Sequence, residues 1–300
     1  MRPALSVIFL TTLIGAGQGL FLALYACELL AEQSSSVEFL VGGSAIVLLL
    51  CGLGLIASFF HLGHPERAWR AASMWRTSWL SREVIALPAF MGAVFVYGAA
   101  HWFAFGYTLL LGAGAVIAAI ALFICTGMIY AAIKVLKEWA HPLTLINFGL
   151  LGSASGVTLA AAYANFVAPD LSAPLAKAAV ALTVLAMTMR LTSLLRNAKL
   201  HPTSTLQTAI GVRHPHIVQK AQGAMGGSFN TREYFHGKSA GFIRAIVPAF
   251  IVLSFFLPLI LVMFVPLLAF IFQYCGLLAE RWYFFAEAKH PQNMYYQGKS

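Results

Sequence analysis

Eight long apolar runs, at approximately 4–30, 38–60, 82–103, 107–133, 143–166, 172–195, 241–260 and 264–286, constrain this chain more than any other feature. Each is close to the roughly 20 residues that carry a helix across a bilayer core. Lipid offers a backbone amide no partner, so such a run must satisfy its hydrogen bonds within itself, as a helix. The expected fold is therefore all-α: an integral membrane protein forming a bundle of eight transmembrane helices. Composition agrees, since 60% hydrophobic and 10% charged residues leave too little polar cover for a water-facing surface. Pro88, Pro248, Pro258 and Pro266 lie in or beside these runs and mark expected kinks.

The formal charge of +9 sits in the short connections rather than on any one face. Arg67, Arg70, Arg76 and Arg82 fall between the second and third runs, Lys134 and Lys137 after the fourth, and Arg190 to Arg244 bracket the long sixth-to-seventh connection. The alternate connections carry Glu32, Glu38 and Asp170, and of the 19 Lys and Arg only Lys177 lies on that side. The positive-inside rule then puts both termini in the cytoplasm, in a bacterial inner membrane. It also explains the basic balance without nucleic acid, which is excluded as a partner; membrane lipid is the surroundings. The 196–240 connection is cytoplasmic, polar and Gly-rich, with His201, His214, His216 and His236. It serves as a docking element or a tether and is too poor in apolar residues for a domain of its own.

Cys27, Cys51, Cys125 and Cys275 each fall in a separate apolar run, with no spacing suited to zinc or an iron–sulfur cluster. They read as small core residues, and no metal site is expected. Leu24 to Cys27 has the look of a lipoprotein processing site, but the run before it is long enough to span a bilayer. Every histidine except His101 lies at the inner boundary or in a cytoplasmic connection, so no haem is expected in this chain.

Polar and aromatic side chains crowd one place, the connection from His61 through His64, Glu66, Arg67, Trp69 and Arg70 to Trp75, Arg76, Trp79, Arg82 and Glu83. His61 closes the second run and Glu83 opens the third, which places both at the membrane boundary, half out of water. A quinone, ubiquinone or menaquinone, needs an apolar groove for its tail and a proton carrier for a head that takes two electrons and two protons. Imidazole titrates near neutrality, and a half-desolvated carboxylate can relay the proton to water. In this reading His61 and Glu83 handle protons and Arg67 or Arg82 counters charge. Trp75 and Trp79 cover the ring, and Gln18, in the first run, is a further head-group ligand. Each residue also has an ordinary explanation, because interfacial Trp forms belts, interfacial Arg fixes topology and a helix-end His is often a cap. Five His-Pro pairs have a capping explanation of the same kind. Glu28, Arg190, Gln273, Glu280 and Arg281 are assigned to helix packing, with Arg190 and Glu280 expected to find partners of opposite charge.

These residues carry a resemblance. His61-Leu62-Gly63, Pro65, Arg67 and Ala68, followed by Ser81 and Glu83 on the second-to-third connection, resemble the membrane anchor of the dimethyl sulfoxide reductase family. The resemblance implies a complex in which a molybdopterin catalytic subunit, a four-cluster ferredoxin-like iron–sulfur subunit and this anchor exchange electrons with the quinone pool, with His61 and Glu83 at the quinone site. In the dimethyl sulfoxide branch the motif loop faces the periplasm, whereas charge here places it in the cytoplasm. The long basic connection and the run from Glu280 to Glu287 and His290 are similar to the anchor of the cytoplasm-facing sulfite:quinone dehydrogenase. That implies electrons passing from sulfite to quinone, with partner subunits on the cytoplasmic side; the alternative is an anchor taking electrons from quinol. A secondary transporter is the rival from another class, but it predicts charges near the midplane, and these cluster at run ends. A membrane-embedded hydrolase lacks its motifs, with neither Gly-x-Ser-x-Gly nor His-Glu-x-x-His in the chain.

Overall fold

The computed structural model describes residues 4–31, 35–60, 62–201, 205, 207–208, 211–217 and 239–288. Glu32, His61, His236, most of the 196–240 connection and the run after Ala288 lie outside the described residues. The described chain has no strand, and a helix lies on every apolar run. These are α1 (Leu5–Leu30), α2 (Val37–Phe59), α3 (Trp79–Trp102), α4 (Thr108–Ala131), α5 (Pro142–Val167), α6 (Pro169–Ala198), α7 (Ala240–Ile251), α8 (Leu257–Leu261) and α9 (Pro266–Glu287). A 3₁₀ segment, Pro65–Met74, follows α2, and a π-type segment, Val252–Phe256, joins α7 to α8. Seven stretches are long and apolar enough to cross a membrane: α1 to α6 and Arg244–Leu261. At 22 residues α9 has the length, but its buried Gln273, Glu280 and Arg281 lower its apolarity.

Local chemistry sets the helix starts. Ser36, Ser78 and Ser239 each accept a hydrogen bond from the backbone N–H three residues on, satisfying a donor that the first turn leaves unpaired. His141 caps α5 through Nδ1, which accepts from Leu143 N–H at 3.2 Å, while Pro142 supplies the preset first helical position. Burial and the nearby Arg196 guanidinium lower the pKa of His141, which suits a neutral acceptor. Of the described His-Pro pairs, those at 64–65 and 141–142 thus sit at helix starts, whereas 214–215 lies in no helix.

In the bundle α1 packs against α2, α4, α5 and α9. Its closest partner is α5, where Gly15 and Gly19 face Gly152 and Gly156 with each pair four residues apart. A Cβ on Gly156 would overlap the backbone of Gly19 and Leu20, so the two helices touch main chain to main chain. Lipid tails are as apolar as leucine, so close van der Waals contact of this kind, rather than hydrophobic expulsion, is what joins helices in a membrane.

The π-type segment between α7 and α8 has an identifiable cause. Pro258 lacks an N–H and so frees the carbonyl of Ser254, four residues back. Gln273 of α9 donates Nε2 to that carbonyl at 3.4 Å, and Leu257 N–H reaches back to Val252, the spacing of a π turn. Gly276 lets the π segment approach, because a Cβ there would overlap Ser254 N.

Candidate functional site

Ser78 starts α3 earlier than the apolar run suggests, and the extra turn changes the fate of Glu83. Instead of lying at the boundary half out of water, Glu83 is 9% exposed and points into the bundle, where Thr126 of α4 donates to its Oε1. Beside it is a small cavity lined by Thr11, Gln18, Glu83, Phe123, Thr126 and Phe148. Its free space suits about one water molecule and is far too small for a quinone ring. Gln18 donates Nε2 to Ala119 O at 2.8 Å. Two of the side chains singled out in the sequence, Gln18 and Glu83, therefore meet at one cavity at the membrane-loop end of α1, α3, α4 and α5.

The remaining candidates are held elsewhere. Arg82 makes no ion pair with Glu83 among the described contacts. It donates Nε to Trp75 O at 2.9 Å and Nη2 to Arg76 O at 2.8 Å, and it covers the Trp79 ring at 4.2 Å, stapling the connection to the start of α3. Arg67 is exposed and lies 3.7 Å from Glu66, which also meets His64 Nδ1 at 3.0 Å. Trp75 is 53% exposed, so it and Trp79 border the loop rather than the Glu83 cavity. His61 lies outside the described residues.

At the same end α6 and α9 run parallel, and their polar side chains pair in layers seven residues apart on both helices. Gln273 meets Thr183 at 3.1 Å, Glu280 meets Arg190 at 2.7 Å, and Glu287 accepts from Asn197 at 3.0 Å. Arg190 also lies 3.8 Å from Glu287, and Arg281 lies 3.3 Å from Glu280, so two cations and two carboxylates balance in the buried layers. Arg190 and Glu280 do find partners of opposite charge, namely each other. Around them Tyr130, Trp139, Phe148, Phe284 and Phe285 form an aromatic cluster, and Trp139 donates Nε1 to Phe284 O at 3.0 Å.

At the other end of α3, where Tyr97 lies about 21 Å along its axis from Glu83, Glu28 of α1 ties Tyr97 and His101 together. Tyr97 donates its hydroxyl to Glu28 Oε2 at 2.6 Å, and His101 Nε2 lies 3.2 Å from Oε1. Between the two ends the interior is apolar, with Leu20, Phe21, Phe90, Val94 and Leu122 buried. Thr126, Phe148 and Tyr97 were not legible as site residues in the sequence. A threonine or tyrosine inside an apolar run is the only signal, and many such residues simply bond their own backbone.

Comparison with known proteins adds the family. The profile of the DMSO reductase anchor subunit (DmsC) matches residues 1–276. The chain is also similar to a sulfite dehydrogenase subunit of Allochromatium vinosum, 53% identical over an alignment of 322 residues that covers 99% of both chains.

Proposed function

The chain belongs to the DMSO reductase anchor subunit family, and from that membership we propose that it is the quinone-reactive anchor of a sulfite-oxidising complex in a bacterial inner membrane. It spans the membrane eight times, counting α9, with both termini in the cytoplasm. A molybdopterin subunit oxidises sulfite on that side, a four-cluster iron–sulfur subunit carries the two electrons inward, and a quinone at the inner leaflet takes them with two protons to become quinol. The likeness to a sulfite dehydrogenase subunit along the whole chain supports this direction over an anchor that oxidises quinol.

The observation that carries the quinone reading is the buried Glu83, hydrogen-bonded to Thr126 at a water-sized cavity directly beneath the Arg- and Trp-rich connection. A carboxylate in that position holds a proton close to the loop, within reach of one bridging water, as general acid–base chemistry requires. Because the cavity admits water and no ring, the head group docks at the lipid-facing edge of the connection, beside Trp79. Glu83 exchanges protons with it through water.

In the assembled complex Glu83→Gln and His61→Ala should each lower quinone-dependent sulfite oxidation by about 100-fold, the lower range for loss of a general acid or base. Sulfite oxidation with an artificial acceptor should be retained. Equal loss of both activities would reduce the two residues to structural roles. Orientation has its own check: a reporter that works only in the cytoplasm should be active when fused at the C-terminus, and one that works only in the periplasm should be silent. The reverse pattern would move the partner subunits to the outside.

A further inference from the structure

The connection between α2 and α3 turns its large side chains outward. In the 3₁₀ segment Pro65–Met74 the half-buried residues are Ala68, Ala71 and Ala72, whereas Trp69 is 71% and Met74 60% exposed. Arg70 and Arg76 are exposed as well, and the guanidinium carbon of each lies 5.5 Å from the ring of the tryptophan before it, Trp69 or Trp75. Among the described residues neither guanidinium meets a carboxylate, and Glu66, the acid of this connection, is engaged by His64 and Arg67. Arg82 holds the carbonyls of Trp75 and Arg76, so this end of the surface is set before anything binds to it.

Charge decides what can cover such a face. A second copy of the chain would bring the same arginines. The chain's own remaining segments on this side are basic too: 218–238 carries Lys220, Arg232 and Lys238 against Glu233, and 289–300 carries Lys289 and Lys299 with no Asp or Glu. The occupant is therefore another molecule with an acidic surface. A segment lying in lipid sets its cations on one face and its aromatic residues on the other, whereas here tryptophan, methionine and arginine share the exposed side, the mixture found at the centres of protein interfaces. We propose that Trp69, Arg70, Met74, Trp75 and Arg76 form the surface on which the electron-delivering subunit docks, with carboxylates of that subunit pairing to Arg70 and Arg76. Membership of an anchor-subunit family supplies such a partner. The choice of the electron-delivering subunit rests on the quinone reading above, which puts the head group beside Trp79, three residues after Arg76. Electron transfer weakens steeply with distance, so the donor must sit over this stretch.

The test measures the affinity of the full-length anchor, held in nanodiscs of neutral phosphatidylcholine, for the catalytic subunits of its own complex. Paired Arg70→Glu and Arg76→Glu should raise Kd by about 100-fold, since like charges then face each other across the interface. The pair Arg70→Lys with Arg76→Lys, which keeps the charge, should stay within about tenfold of the parent. Trp69→Ala should weaken binding by about tenfold, and added salt should weaken the parent and spare the charge-reversed pair. All these positions are exposed, so the amount of anchor in the membrane should match the parent; if the reversed pair does not accumulate, Trp69→Ala and the salt series still decide. A Kd within about twofold of the parent after charge reversal, or a parent Kd indifferent to salt, would overturn the inference. A charge effect seen only when anionic phosphatidylglycerol is added to the nanodiscs would assign the face to lipid headgroups and overturn it as well. Kd is read without quinone, which keeps the two readings apart. If charge reversal leaves Kd unchanged while Glu83→Gln slows quinone turnover, the docking surface alone fails. If charge reversal weakens docking while Glu83→Gln leaves quinone turnover intact, the quinone reading fails and the docking surface stands.

Discussion

Gly156→Leu is expected to abolish accumulation of the folded anchor, the largest effect of any single change considered. A Cβ at this position would overlap the backbone of Gly19 and Leu20, and backbone cannot rotate away as a side chain can. The α1 and α5 helices would have to separate along the seam where Gly15 and Gly19 face Gly152 and Gly156. Overpacking a tight interior usually costs about 1–3 kcal/mol, and a backbone clash at the central helix belongs at or above the top of that range. The cost also reaches function, because Gly15 and Gln18 of α1 and Phe148 of α5 border the Glu83 cavity. Membrane-fraction yield and thermal unfolding in mild detergent measure it. Gly149→Leu is the matched control, since an added Cβ there meets nothing within 4 Å. Similar yields for the two variants would show that the close approach is not what holds the bundle.

Arg190→Met should destabilise the anchor by about 3–5 kcal/mol, the range for removing one partner of a buried ion pair. Arg190 is 2% exposed and serves both Glu280 and Glu287, at 2.7 and 3.8 Å, so its loss leaves Glu287 with Asn197 and Glu280 with Arg281 alone. An uncompensated carboxylate at that depth has no water to replace the guanidinium. Adding Glu280→Gln should restore part of the loss, because the orphaned charge disappears with it. Unfolding midpoints of the single and double variants, compared with the parent, decide the matter. A double variant no better than the single would place the value of Arg190 in its packing against Phe250 rather than in charge.

The helices were legible because their signal is local. An apolar run of membrane length forces a helix whatever surrounds it, and each described helix lies on such a run. The pairing of Arg190 with an opposite charge was legible for a similar reason, since isolated charges in lipid are too costly to leave alone. What failed was the depth of Glu83. The apolar run begins at Arg82, but Ser78 caps the helix before it, so Glu83 lies a turn inside α3, where it meets Thr126. Nor was it legible that the fork of donors on Arg82 is taken by the carbonyls of Trp75 and Arg76.

The sequence by itself determined that this chain lives in lipid, where its helices run, which of its ends gather positive charge, and that one loop is unusually rich in groups able to handle protons. Those properties follow from transfer of short segments between water and hydrocarbon, which each segment settles alone. Only the tertiary structure decided that Gln18, Thr126 and Phe148 come from three different helices to meet Glu83, and that α6 and α9 align their polar residues layer by layer. Such meetings depend on how closely main chains approach, and that distance is set by pairs of residues, such as Gly19 and Gly156, that lie far apart in the chain.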